Sequence, residues 1–109
     1  MKPKTKDRRR YARVPLRVFV RLKTDKGIQH YYSKNISAGG IFLLSETPLS
    51  EETEVELDMD LPGLSAPVRA RGEVVWINRQ KPKGFAVKFV EISSVSRDFI
   101  RWLVAKEKE

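Results

Sequence analysis

The sequence predicts a mostly β protein, a small antiparallel barrel with one helix at its C-terminal end. Three observations carry this. Apolar and polar residues alternate with period two through several short stretches, turn-forming residues separate those stretches, and the period becomes helical only after Ser93. A chain of 109 residues suffices for one compact domain.

Val14, Leu16, Val18, Val20 and Leu22 share one parity, with Arg17, Phe19, Arg21 and Lys23 on the other, so Val14–Lys23 reads as one half-buried strand. Asp25-Lys26-Gly27 is a hairpin turn, and a second strand is predicted from Ile28 to Ser33, with Tyr31 and Tyr32 facing opposite ways. The run NISAGG at 35–40 interrupts the pattern with residues suited to a tight, irregular backbone. Ile41–Leu44 resumes as a short buried strand, and Glu46–Glu52 reads as a loop. Val55, Leu57, Met59 and Leu61 then alternate with Glu54, Glu56, Asp58 and Asp60, a strand with a wet acidic face. After Pro62-Gly63 a strand covers about Val68 to Ile77, with Val68, Ala70, Gly72, Val74 and Trp76 on one parity and Gly72 marking a bulge or bend.

Lys81-Pro82-Lys83-Gly84 turns the chain into a last strand, Gly84–Glu91, with Phe85, Val87 and Phe89 inward. Beyond it Phe99, Ile100, Leu103 and Val104 form an apolar stripe at helical spacing, with Ser94 or Ser96 as the expected N-cap. About six short strands joined by tight turns favour closure into a barrel, which removes exposed sheet edges, and the helix is expected over an open end or seam.

Composition narrows the function. There are no cysteines and one histidine, which rules out disulfides and thiolate chemistry and leaves little for histidine-based metal sites or hydrolytic triads. An enzyme is therefore not expected. No apolar run approaches the ~20 residues of a membrane span, and the basic N-terminus is not followed by the apolar stretch of a secretory signal. A cytoplasmic location without membrane insertion is the corresponding expectation. The net charge is +8, and residues 1–13 account for +6 of it, seven basic residues against Asp7. A basic, flexible arm on a nearly neutral domain calls for an anionic partner.

Two stretches carry candidate chemistry. RRRYAR at 8–13 places Arg8, Arg9, Arg10 and Arg13 just ahead of the first strand. Guanidinium groups bind phosphate with two prongs, stack on flat bases and donate to guanine O6 and N7. In NISAGG, Asn35 offers an amide donor and acceptor, Ser37 a hydroxyl, and Gly39 and Gly40 a backbone that a ligand can approach closely. Trp76 has a face on which a base could stack, although its parity with Val68 and Val74 places it in the core. Taken singly, the arm also fits a solvated basic tail and the second stretch an ordinary glycine-rich turn. His30 reads as a strand-surface residue, and Arg69 and Arg71 as part of a wet strand face.

Together, RRYAR at 9–13 and NISAGG at 35–40 resemble the RxxxR and (D/N)xSxxG motifs of PilZ domains. The likeness continues through GEVVW at 72–76 and GFAVKF at 84–89, from about Asp7 to Lys106. The resemblance implies a six-stranded antiparallel barrel that binds the bacterial second messenger cyclic di-GMP on its outer surface, needing no other cofactor. It implies that Arg9 and Arg13 hold phosphates and the Hoogsteen edge of one guanine, and that Asn35, Ser37 and Gly40 contact the other. Arg8 stands where some family members carry an arginine and bind two intercalated ligands. Arg10 and Gly39 are secondary site candidates.

The implied organisation is a flexible basic arm over 1–7 and a domain over 8–109, with a ligand arm 8–13, barrel 14–92 and helix about 95–107. The implied role is regulatory, a conformational change signalled to a protein effector, with no nucleic acid bound. The competing readings are a nucleic-acid-binding small barrel, weakened by few aromatics expected on an outer strand face, and a ligand-free PilZ-like adaptor.

Overall fold

The computed structural model describes residues 12–108, which form seven strands and one helix. These are β1 (Arg13–Pro15), β2 (Phe19–Thr24), β3 (Gly27–Ser37), β4 (Gly40–Leu44), β5 (Glu54–Asp60), β6 (Val68–Asn78), β7 (Gly84–Ile92) and α1 (Ser94–Glu107). All pairings are antiparallel. Strands β2 to β7 close into a six-stranded barrel in the order β3-β2-β5-β6-β7-β4, with β4 returning to β3. Strand β1 lies outside this ring, on the flank of β3 that β2 occupies further along, while β4 holds the opposite flank.

The predicted strand Val14–Lys23 is thus two strands. Pro15 pairs with Asn35 and Phe19 with Tyr32, so Leu16, Arg17 and Val18 stand opposite only Ser33 and Lys34. The extra residue is a bulge, which frees ladder groups, and a buried serine takes them up. The Ser33 hydroxyl donates to the Leu16 carbonyl at 2.6 Å and accepts the Val18 amide at 2.8 Å. Arg17 belongs to this bulge and not to a strand.

Strand β3 also runs beyond the predicted Ser33 to Ser37, so Asn35, Ile36 and Ser37 are strand and only Ala38-Gly39 turn the chain. At the other end of β3, the turn from β2 needs a positive φ, and Gly27 supplies it at 123°.

The core is the inward parity of every strand. Val20, Leu22, Ile36, Leu43, Leu57, Met59, Val74, Phe85 and Val87 are among its fully enclosed residues, joined by Ile100, Leu103 and Val104 from α1. The helix packs on β3 and β1. Its N-cap is Ser93, one residue before the earlier of the two expected serines: Ser93 Oγ accepts the Ser96 amide at 3.1 Å. Among the described residues, no helix is long and apolar enough to cross a membrane.

Two further bulges decide which side chains face out. Arg71 pairs with Glu91 and Gly72 with Phe89, which leaves Val90 as an extra residue in β7. Val74 pairs with Val87 and Trp76 with Ala86, which leaves Val75 as an extra residue in β6. A bulge places two consecutive side chains on the same side and resets the parity beyond it. Trp76, placed in the core by simple alternation, is therefore on the outer surface and 48% exposed.

Candidate functional site

Register makes the outer surface legible as rows that cross several strands. One buried row runs Val14, Ile36, Ile41, Val87, Val74 through β1, β3, β4, β7 and β6. The rows on either side of it face outward. The first is Arg13, Ser37, Gly40, Lys88, Glu73; the second is Pro15, Asn35, Phe42, Ala86, Trp76. Arg13, Asn35, Ser37 and Gly40, far apart in the chain, thus share one patch of the barrel exterior. Trp76 joins the same patch from β6.

The first row is polar and the second largely apolar. Phe42 covers the outer face of β4, only 4% exposed, and its ring lies 5.8 Å from that of Trp76 at an interplanar angle of 43°. Ala86 between them is small, so the two aromatic rings meet across it. Residue type alone marked Ile41–Leu44 as a buried strand and so missed Phe42. Its outward parity between buried Ile41 and Leu43 was the available signal.

The turn at 38–39 is built by Ser37. Its hydroxyl accepts the Gly39 and Gly40 amides at 3.1 and 3.2 Å, and Ser37 is only 6% exposed. Its own proton points to the Gly40 carbonyl at 3.4 Å, near the limit for a hydrogen bond, and is open to a better acceptor. Gly40 must be glycine because a Cβ there would run into the Val87 carbonyl oxygen of the neighbouring strand. The Gly39 carbonyl accepts the Phe89 amide at 2.9 Å, which ties the turn to β7. Asn35 is half-buried beside this turn.

Arg8, Arg9 and Arg10 lie outside the described residues. Arg13 is exposed at the head of the polar row, paired with Ser37. Arg69 and Arg71 are engaged elsewhere: Arg69 pairs with Asp58 at 3.1 Å and Arg71 with Glu91 at 2.7 Å. The acidic residues of β5 face solvent as expected, Asp60 in a two-pronged bond with Arg21 at 2.7 and 3.2 Å. That bond holds the Asp60 carboxyl below its usual range and pushes the Arg21 guanidinium up.

The expected scarcity of aromatics on an outer strand face does not hold. Phe19 stacks on exposed His30 with centroids 5.5 Å apart, and Arg17 sits 4.1 Å over the ring of Tyr32, itself 43% exposed. Phe19 reaches diagonally to His30, whose cross-strand partner is Arg21, and Arg17 comes from the bulge ahead of β2; both contacts stiffen the β2–β3 ribbon.

A family model described as the PilZ domain matches residues 7–106. No curated protein matches the chain. Among solved structures, the Bacillus subtilis inhibitor of motility (MotI/DgrA) is similar with a TM-score of 0.80 and 20% identity, over 99% of this chain and 56% of that one. The chain therefore spans little more than half of that protein. The PilZ domain of YcgR from Escherichia coli, solved with c-di-GMP, gives a TM-score of 0.69 at 17% identity, over 94% of this chain and 92% of that one. The PilZ domain of CeSA from a cellulose-synthesizing bacterium gives 0.58 at 18%, over 90% and 99%. At such identities the structural likeness concerns the fold.

Proposed function

This chain belongs to the PilZ domain family, and from that premise we propose that it is a cyclic di-GMP receptor that signals to a protein partner. The observation that carries the reading is the meeting of Arg13, Asn35, Ser37 and Gly40 on two adjacent outward rows of one barrel face. The division of that face suits the ligand: phosphates need the cations of the polar row, and a purine ring needs a flat surface such as exposed Trp76, which Phe42 packs against.

In this reading Arg9 and Arg13 hold phosphates and the Hoogsteen edge of one guanine. Asn35 presents its amide to the other guanine, Ser37 offers its weakly held proton, and Gly40 keeps the surface low enough for close approach. Arg8, Arg10 and Gly39 complete the set. Each charge-assisted hydrogen bond contributes about 1.5–3 kcal/mol, so two or three support micromolar binding, about −8 kcal/mol, after ordering costs. Arm closure over the ligand is the proposed conformational signal.

A nucleic-acid reading draws on the aromatic cluster of Phe19, His30 and Tyr32. Asp60 and Asp58 on the adjoining strand engage Arg21 and Arg69, which leaves those guanidinium groups less able to hold a phosphate backbone there and weighs against the reading. Isothermal titration with cyclic di-GMP, with GMP and cyclic AMP as controls, tests the proposal. Saturable low-micromolar or tighter binding of cyclic di-GMP is expected, and equal affinity for GMP sinks it, because a mononucleotide satisfies only half of the contacts.

A further inference from the structure

We propose that Lys88, which belongs to neither motif, is a further ligand contact that holds a phosphate of the bound nucleotide. The inference rests on the receptor reading above and assigns to that site a cation from β7.

The placement comes from register. Gly40 pairs with Ser37 on one side and with Lys88 on the other, so Lys88 is the next outward position along the polar row. Arg13 and Lys88 stand three strand spacings apart, about 14 Å. Between them lie Ser37, whose hydroxyl is turned into the Ala38-Gly39 turn, and Gly40, which has no side chain. The Val87 carbonyl forbids a Cβ at Gly40, so the surface between the turn and Lys88 stays low. The Phe89 amide bonded to the Gly39 carbonyl fixes the backbone around Lys88 against that turn. A ligand lying on Asn35 and Gly40 therefore has a cation on each side: Arg13 from β1 and Lys88 from β7.

The charges around it support the assignment. Four other cations of the barrel exterior are tied to carboxylates: Arg21 to Asp60, Arg69 to Asp58, Arg71 to Glu91 and Lys83 to Glu46. Lys88 is exposed and, although Glu73 is its cross-strand partner, makes no ion pair within 4.0 Å among the described residues. Glu73 is itself opposed by Glu54 on its other side, a like-charged pair. An ammonium on a flexible stem serves as a point charge for phosphate.

The test is titration of the whole chain with cyclic di-GMP at low and high salt, for the unmodified protein and for Lys88→Met, Lys88→Arg and Lys26→Met. Lys26 lies in the β2–β3 turn, at the opposite end of β3 from Ser37, and controls for a change of net charge. Lys88→Met is expected to weaken binding about tenfold or more and to flatten its salt dependence. Lys88→Arg should keep the affinity within about threefold, and Lys26→Met should leave it unchanged. Thermal unfolding of each variant checks the fold, and Lys88→Gln replaces Lys88→Met if that variant is destabilised. Unchanged binding by Lys88→Met, or an equal loss in Lys26→Met, overturns the role of Lys88 while leaving the receptor reading intact. Absence of binding by the unmodified protein overturns the receptor reading and the inference with it.

Discussion

Val18 and Ser33 are bonded twice across the β2–β3 flank: the Val18 amide donates to the Ser33 hydroxyl at 2.8 Å, and the Ser33 amide donates to the Val18 carbonyl at 3.0 Å. With the further bond from Ser33 Oγ to the Leu16 carbonyl, one side chain stitches the bulge that joins β1 to β2. That bulge sets the register in which Arg13 meets Ser37.

Ser33→Ala should therefore cost stability and binding together. It leaves the Leu16 carbonyl and the Val18 amide without their partner in a site that is 2% exposed. The expected loss is about 1–3 kcal/mol in urea denaturation, with weaker cyclic di-GMP binding because the strand carrying Arg13 is no longer held in place. Full stability in the alanine variant would show that water replaces the hydroxyl.

Arg13→Ala or Arg9→Ala should each weaken cyclic di-GMP binding by about 1.5–3 kcal/mol, tenfold or more. Arg17→Ala should leave binding nearly unchanged and remove only the cation–π contact with Tyr32, worth about 0.5–1 kcal/mol of stability at an exposed site. Equivalent binding losses at Arg9 and Arg17 would reduce the arm to a basic tail.

Ligand number is expected to follow Arg8. Two intercalated cyclic di-GMP molecules carry four phosphate charges, which more arginines neutralise, so the titration should end at two per chain. Arg8→Leu should move the end-point to one and retain binding. An end-point of one in the unmodified protein would refute the role given to Arg8 alone.

Trp76 emission should respond to ligand, because a base laid on the ring replaces solvent on its exposed side. The measurement belongs in a Trp102→Phe background, since Trp102 on α1 is also exposed. Trp76→Ala should weaken binding by about 1–3 kcal/mol if a base stacks there. Saturating ligand with no change in Trp76 emission would remove it from the site.

The Arg21–Asp60 bond predicts a pH dependence of stability. The folded protein holds the Asp60 carboxyl below its unfolded value, so its contribution is complete above the ordinary carboxylate range and is lost as pH falls through the lowered value. Comparing the Tm of the unmodified protein with that of Asp60→Asn should show a gap at pH 7 that narrows in acid and in high salt. A gap of constant size down to pH 2 would mean that the asparagine disturbs packing instead.

Alternation and turn chemistry are written into the local sequence, because the pleat of a strand fixes a period of two wherever the chain is extended. That is why Val20, Leu22, Leu57, Met59, Phe85 and Val87 could be placed in the core from residue order alone, while Arg13, Asn35, Ser37 and Gly40 are singled out by side-chain chemistry and by the resemblance of their stretches to the PilZ motifs. A bulge, by contrast, belongs to a pair of strands. The extra residues Val75 and Val90 look like any other valine of their strands, and only pairing shows that Trp76 turns outward. The break at Leu16–Val18 is likewise defined by what lies opposite it, with Ser33 satisfying the backbone groups it releases. The adjacency of Gly40 and Lys88, which come from different strands, depends on register between β4 and β7. Register is settled when both strands bury Ile41, Leu43, Phe85 and Val87 in the same core, since a slip of one residue would turn those side chains to solvent. Side-chain chemistry and motif marked the residues of the site, and closure of the barrel around a shared core made them neighbours.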